Sequence, residues 1–299
     1  MLRFENVVND FRNFANLGES DQPVRDLRIR ASASKSFRTQ LTAYAKREIN
    51  KSLRNMDQTT KSGDQKDAIA RYLMYAALFS VGSGFNNSEN TPTIHHWVPR
   101  CYISRFERLN ESKKGDLIFV EQRHSHGRIT RRQLKDSHFV HGVDENGKGF
   151  YDNDLEMFFG YLENRYAFEM DKIEDGREHA PMTLIILAGF LVMQSIRAVN
   201  MIAQSLHDFV DEIVSVLDSL DSAHLSIGSV ESPQGFLPYN PTRTVESKGI
   251  RSYVFPLSSS LSLLMSDSKI KDSDRVAERA RVNVLKHLQR TGGVMYGVV

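Results

Sequence analysis

The sequence has a single cysteine and no long hydrophobic run, and so lacks the features that mark disulfide-rich and membrane proteins. Cys101 is the only cysteine in 299 residues, so the chain cannot form an internal disulfide and is compatible with a reducing compartment. Hydrophobic residues make up 40% and charged residues 25%, close to the average of globular proteins. These values exclude a disulfide scaffold and a disordered chain, which has too few apolar residues to form a core.

Long hydrophobic runs are also missing. The longest spans residues 184–193 and is followed by Gln194 and Arg197, whereas a membrane span needs about 20 apolar residues. The opening residues, MLRFENVVNDFRNF, are charged from the third position and lack the apolar core of a secretory signal. We therefore expect a cytoplasmic protein that does not enter a membrane.

Charge is nearly balanced overall but uneven along the chain. The formal net charge is only +2. Residues 95–135 hold ten Lys and Arg against four Asp and Glu, and residues 144–178 hold four against eleven. The two segments either neutralise each other or form solvated faces, or the basic segment is left free for an anionic partner.

Apolar periodicity predicts several helices. Residues 34–56 and 152–175 have apolar side chains three or four apart, and a further helix opens at Asp64. Residues 182–220 are apolar enough for one long helix or for two with a bend, and a last helix is expected over 272–290, ended by Gly292 and Gly293.

Short β-prone runs lie between these helices. LIFVEQ at 117–122 predicts a strand, with a returning strand over 128–131, and two further strands are expected over 252–256 and 261–265. We therefore predict an α+β fold, predominantly helical with small antiparallel β elements. The polar linker GFNNSENTPT suggests a helical N-terminal extension over residues 1–90 and a second domain over 91–299.

The least random string in the chain is IHHWVPRCYISRF, residues 94–106. It resembles the opening signature HHYVPxFYLxxF of the HHxVP family, domain-of-unknown-function family 4238. The resemblance continues in the same order through FY at 150–151, FLVMQSIR at 190–197 and FPLSS at 255–259. It covers about residues 94–298 and implies a shared fold unit, with no activity attached. Cys101 departs from the pattern, because the family more often has an aromatic residue there.

Adjacent histidines in an extended segment point to opposite faces, so one imidazole can serve a site while the other serves the core. Imidazole transfers protons near neutral pH and binds metal ions. His95 and His96 are therefore candidate catalytic bases or metal ligands. The competing interpretation is that they are hydrogen-bonded structural residues.

HHWVPR also resembles the first motif of HNH nucleases. That resemblance implies a water-activating histidine and a divalent metal, with Asn110 and His124 or His126 as further positions. The segment after the motif looks helical, where HNH units have strands. Arginines in and after the motif would contact phosphate in a nucleic-acid complex: Arg100, Arg105, Arg123, Arg128, Arg131 and Arg132.

Glu156 and Glu163 are two helical turns apart and share a face that could meet Arg197, which lies in an apolar helix. A structural Glu–Arg bridge is the simpler interpretation, because a buried Arg must be paired. In the functional alternative, Glu163, Arg197 and a histidine of the pair converge as a catalytic or metal-binding group.

Two functions therefore remain open at the level of sequence. The first is a metal-dependent nucleic-acid hydrolase that uses His95, His96, Glu163 and Arg197 with a divalent metal ion bound by His95, His96 and Glu163. The second is a non-enzymatic binding or host–pathogen interaction module in which HHWVP is a structural junction. The partners expected are nucleic acid and, through the N-terminal helices, another protein, with no membrane.

Overall fold

The computed structural model describes residues 23–54, 65–84, 95–96, 99–106, 118–123, 129–133, 141–142, 153–177, 180–199, 205–219, 223–230, 236–238, 243–247, 249–280, 282 and 293–298. The chain divides into two compact units. The helical unit combines the residues up to 95 with 142–196 and 200–223. The sheet unit combines 96–141, 197–199 and 224–299.

The helical unit begins with three helices, α1 (Pro23–Ala33), α2 (Lys35–Arg54) and α3 (Lys66–Gly84). Helix α2 buries one stripe, Leu41, Ala45, Ile49 and Leu53, at the spacing of one helix face. Helix α3 is buried almost all round, as expected for the centre of a helix bundle. The apolar stripe of α2 is therefore used within the unit, against α3.

A short helix, α4 (Arg100–Ile103), belongs to the sheet unit. Helices α5 (Asn153–Glu174), α6 (Pro181–Val199) and α7 (Leu206–Asp218) complete the helical unit, apart from residues 197–199 of α6. Their core is aromatic. Phe159 of α5 meets Phe209 of α7 edge to face, with ring centroids 5.0 Å apart, and Tyr166 stacks on Phe190 at 4.0 Å. Such pairs add to the hydrophobic stabilisation that each ring supplies by burial.

The sheet unit contains two four-stranded antiparallel sheets. The strands of sheet A are β5 (His224–Ser229), β7 (Arg243–Ser247), β8 (Ile250–Pro256) and β9 (Leu261–Ser266). Those of sheet B are β2 (Ile118–Arg123), β3 (Ile129–Gln133), β6 (Phe236–Pro238) and β10 (Gly293–Val298). Sheet A has the strand order β5-β9-β8-β7, and sheet B has the order β3-β2-β10-β6.

One face of sheet A carries helix α8, which the structure describes over residues 273–280. Ala277 and Ala280 pack with Val245, Val254 and Leu264 in one apolar cluster. The helix approaches β5 so closely that a side chain at Gly228 would collide with the carbonyl oxygen of Ser273.

The fold class is confirmed: the protein is a predominantly helical α+β protein with antiparallel sheets. The expected helices over 34–56 and 152–175 are found within two residues of their limits, and the region 182–220 forms two helices. None of the helices among the described residues is long and apolar enough to cross a membrane.

The described helices also bear on the expected division of the chain. Helices α1–α3 are grouped in one compact unit with α5, α7 and most of α6, and the expected boundary near residue 90 stays a prediction. The end expected for the last helix, at Gly292 and Gly293, falls largely outside the described residues; strand β10 begins at Gly293 and pairs with β2 and β6. This pairing joins distant segments, and a local sequence pattern does not record it.

Candidate nucleic-acid interface

The histidine pair forms a short strand, β1 (His95–His96), which pairs with β4 (His141–Gly142). This agrees with the extended conformation expected for the pair, whose two side chains alternate in direction along a strand. The imidazoles themselves lie outside the described side chains, and Asn110, His124 and His126 lie outside the described residues. The catalytic and metal-binding roles of His95 and His96 stay predictions.

The second half of the motif is built into the sheet unit. Pro99 is buried, and a helical turn, α4 (Arg100–Ile103), follows it. Tyr102 is fully buried, stacks on Phe255 with ring centroids 5.1 Å apart, and donates its hydroxyl to the Pro256 carbonyl oxygen at 2.7 Å. Phe255 alternates with Val254 along β8, so the motif packs on the face of sheet A opposite to α8.

A second contact fixes the same segment. Phe106, in the turn Ser104–Phe106, is buried and meets the Tyr102 ring edge to face. The amide of Ser259 donates to the Arg105 carbonyl oxygen at 3.0 Å. The residues that follow the histidines therefore anchor the motif to the FPLSS segment, as a structural junction would.

The arginines expected at a nucleic-acid interface lie in different elements, and most of their side chains are outside the described part. Arg105 is half-buried. Arg123 ends β2 and Arg131 and Arg132 lie on β3, where Arg131 is in register with Glu121. The side chains of these three and of Arg100 are outside the described part, as is Arg128 altogether. Their contact with phosphate stays a prediction.

The two charged residues expected beside the histidines differ in exposure. Arg197, near the end of α6, is only 1% exposed, whereas Glu163 on α5 is half-buried. The expected grouping of Glu163, Arg197 and a histidine of the pair stays a prediction. The burial fits the simpler interpretation of Arg197 as a structural residue, because a buried cation requires partners inside the fold.

Glu169 lies on the same predicted helix as Glu156 and Glu163 and was given no role of its own, yet it is the most deeply buried of the described carboxylates. Glu169 of α5 is 0% exposed; it accepts from Lys172 Nζ at 3.0 Å and from Thr183 Oγ1 at 2.7 Å. Nearby, burial raises the pKa of the Tyr72 hydroxyl well above its usual range, Tyr161 adds to the rise, and Arg165 opposes it. A carboxylate on the apolar stripe of a predicted helix is the signal that could have identified Glu169.

Charge separates sharply between the two units. The sheet unit holds 21 Lys and Arg against 11 Asp and Glu, a formal net charge of +10, and the helical unit holds 18 against 26, a net charge of −8. The basic segment 95–135 belongs almost entirely to the sheet unit, and the acidic segment 144–178 belongs to the helical unit. The small total of +2 thus conceals a strongly basic unit.

That basic unit contains an open cleft of about 630 Å³ between β7–β8 and α8. Ile250, Ile270 and Val276 supply its apolar lining. Its charged lining has four cations, Lys269, Lys271, Arg275 and Arg279, against two acids, Glu246 and Asp272, and all six are exposed. The arrangement favours an anionic ligand.

Local contacts hold this cleft in shape. Asp272 caps α8, because its Oδ1 accepts from the Arg275 amide at 3.1 Å. Asp274 Oδ1 accepts from the Ser229 amide at 2.6 Å, and Ser273 donates to Ser226 at 2.9 Å. The helix that carries the two arginines is thus tied to β5, and the loop 267–272 brings the two lysines to the same cleft.

A second cavity, of about 410 Å³, lies in the helical unit beside the start of α7. Several of its polar groups are engaged within the unit: Arg28 pairs with Asp154 at 3.0 Å, and Asp208 accepts from the Ser205 hydroxyl at 2.7 Å. Among the residues that the structure describes, no three His, Cys, Asp or Glu side chains are grouped as metal ligands. The basic cleft is therefore the better candidate for ligand binding.

Comparisons with models of known protein families, with curated proteins and with solved structures find no match to this chain. The resemblance to the HHxVP family and the local similarity to HNH nucleases stay predictions. The charge, burial and geometry described above are what bear on function.

Proposed function

We propose that the protein is a nucleic-acid-binding module in which the sheet unit contacts the phosphate backbone and the HHWVP segment is a structural junction. The observation that carries the proposal is the separation of charge, with +10 on the sheet unit and −8 on the helical unit. Phosphate neutralisation by Lys and Arg dominates the affinity of proteins for nucleic acid. An overall charge near zero does not oppose such binding when one unit carries the positive excess.

The junction role of the motif rests on Tyr102 and Phe106. Both rings are buried in the sheet unit, and the Tyr102 hydroxyl is bonded to the Pro256 carbonyl. This packing supports a structural role for the motif, which does not require catalysis. A divalent metal ion held by His95, His96 and Glu163 belongs to the hydrolase hypothesis and is not needed for binding.

The binding test compares two ligands of one base sequence. A fluorescently labelled DNA duplex is titrated with the full chain and followed by anisotropy, alongside a duplex of peptide nucleic acid, whose backbone is uncharged. We expect saturable binding of the DNA and little binding of the uncharged analogue, because the phosphates supply most of the attraction. Equal binding of the two, or binding of neither, would overturn the proposal.

A cleavage assay separates the module from the hydrolase. DNA and RNA are incubated with the wild-type chain and with the His95→Ala/His96→Ala double variant, in the presence of Mg²⁺ or Mn²⁺. The proposal predicts no metal-dependent cleavage above background for either protein. Cleavage that the wild type supports and a folded double variant does not would show that the histidines act in catalysis, and the hydrolase would replace the module.

A further inference from the structure

We infer that the cleft between β7–β8 and α8 seats the phosphates of a nucleic-acid duplex and does not read its base sequence. This inference rests on the proposed function and makes it more specific, because it assigns contacts to Lys269, Lys271, Arg275 and Arg279. None of these four is among the arginines that the sequence motif points to.

The four cations are available to a ligand. All are exposed, and within the described part of the chain no ion pair or side-chain hydrogen bond engages their charged groups. Of the two acids in the cleft, Asp272 is occupied in capping α8. Among the described groups, phosphate therefore meets ammonium and guanidinium groups that no carboxylate pairs with, in a lining whose four cations exceed its two acids.

The spacing of the arginines suits a polymer of phosphates. Arg275 and Arg279 are one helical turn apart, about 6 Å along the axis of α8. A DNA duplex carries one negative charge per about 1.7 Å of its axis, so each guanidinium can find a phosphate oxygen. Arginine presents a planar fork of donors that binds such oxygens in pairs.

The apolar side chains that line the cleft do not favour contacts with the bases. Ile250, Ile270 and Val276 are aliphatic, and no aromatic ring lines the cleft among the described residues. Proteins that hold single strands stack the bases on aromatic side chains, which add to the affinity at each base. A cleft with cations and no stacking surface contacts the outside of a duplex, where phosphates are exposed and bases are not.

The helix that carries the two arginines is also tied to the sheet before a ligand arrives. The start of α8 is fixed to β5 through the bonds of Ser273 and Asp274, and Gly228 permits the close approach. The arginines one and five residues after Asp274 therefore stand on a fixed helix. A preformed site loses less conformational entropy on binding.

The experiment measures affinity as a function of salt for the Arg275→Gln/Arg279→Gln double variant. Its matched control is Arg251→Gln, which removes a positive charge from an exposed position of β8 outside the cleft lining. At about 0.1 M salt we expect the double variant to bind the DNA duplex one to two orders of magnitude more weakly, with the slope of log K against log salt reduced by about 2. The control keeps the wild-type slope.

A single strand of the same sequence and a duplex of scrambled sequence complete the set. The inference predicts weaker binding of the single strand and equal binding of the two duplexes. Circular dichroism and a thermal melt check that each variant folds. If the arginine variant does not fold, Lys269→Gln/Lys271→Gln tests the same cleft through its loop and is expected to reduce the slope by a similar amount.

The outcomes separate the two claims. If the wild-type chain binds no duplex, the proposed function fails. If it binds but the cleft variants keep the wild-type slope, only the cleft assignment fails and the phosphates are contacted elsewhere. If the variants weaken binding but the single strand or one base sequence is preferred, the assignment to a duplex backbone without sequence reading is wrong.

Discussion

At the scale of single residues, Tyr102 shows how the most conspicuous sequence motif is used. Its ring stacks on Phe255, and its hydroxyl satisfies the buried carbonyl of Pro256, which lies 154 positions later in the chain. A buried carbonyl that loses its donor keeps the cost of its lost hydration. Tyr102 is therefore a residue whose hydroxyl alone has a measurable structural role.

We expect Tyr102→Phe to lower the free energy of unfolding by about 1–3 kcal/mol, because the Pro256 carbonyl is left without its donor while the ring stacking is kept. Urea denaturation of the full chain measures the change. Tyr253→Phe is the control, since Tyr253 lies on the same strand and is only half-buried. Equal effects of the two variants would show that the hydroxyl of Tyr102 does not contribute in this way.

At the scale of elements, the approach of α8 to β5 sets the cleft wall. A Cβ at Gly228 would collide with the carbonyl oxygen of Ser273, which belongs to the backbone and cannot move aside alone. Gly160, in α5, has nothing within 4 Å of the corresponding position. The two glycines therefore serve as a matched pair for the same substitution.

Gly228→Ala is expected to destabilise the chain by about 1–3 kcal/mol, because the helix must shift away from the strand. Gly160→Ala is expected to stabilise it by about 0.5–1 kcal/mol, since alanine is the better helix former. Thermal unfolding of both variants gives the signs. A stable Gly228→Ala variant would contradict the close contact of α8 with β5.

The start of α7 gives a pH-dependent prediction. The hydrogen bond from the Ser205 hydroxyl lowers the pKa of the Asp208 carboxyl, and the Ser205 amide and His207 lower it further, against a smaller rise from burial. A folded pKa below the unfolded one means that the unfolded chain binds more protons, so stability rises with pH in that range. The contribution of Asp208 is complete above about pH 3.9 and is lost as the pH falls through the folded pKa.

Ser205→Ala removes this hydrogen bond and a helix cap, with an expected loss of about 1 kcal/mol near neutral pH. The loss shrinks as the solution is acidified, because the wild type then also loses the ionised Asp208. Ser219→Ala, at the other end of α7, removes a hydroxyl that donates to the Val216 carbonyl and involves no carboxylate. Denaturation at several pH values should show a pH-dependent difference for Ser205→Ala alone, and a constant difference would count against the capping box.

At the scale of the whole molecule, the charge pattern is what connects fold to function. Each unit is built from several separate segments of the chain, and the segments of the sheet unit carry most of the excess of basic residues. A net charge of +10 in one unit is the charge distribution that would attract a polyanion to its exposed faces. The net charge of the whole chain is only +2, so the composition alone does not reveal the basic unit.

Sequence reasoning reached the helices more readily than the sheets, for a physical reason. Helix limits over 35–54 and 153–174 follow from local periodicity, and Gly176 adopts the positive φ of 73° that suits a helix end. Strand β7, RTVES, buries only Val245 among its described side chains, so its pairing with β8 is not visible in its own pattern.

None of the cleft residues was predicted from the sequence. Counting charges along the chain finds the basic segment 95–135 and predicts an anionic partner, which stays a prediction. The cleft cannot be found in this way, because Glu246, Lys269 and Arg279 come from three segments that meet only when β7, β8 and α8 assemble. Tyr102 is part of the sequence motif, but its hydrogen bond to Pro256 could not be predicted, because only the folded chain brings the two residues together.

The central claim, that the protein binds nucleic acid through phosphate contacts of its sheet unit, is tested most directly by the salt dependence of duplex binding. The affinity of the wild-type chain for a DNA duplex is measured between about 50 and 200 mM salt. We predict a linear fall of log K with log salt, with a slope of about −4, as expected if the four cations of the cleft each neutralise one phosphate. An affinity that does not change with salt, or no binding at the lowest salt, would contradict the claim.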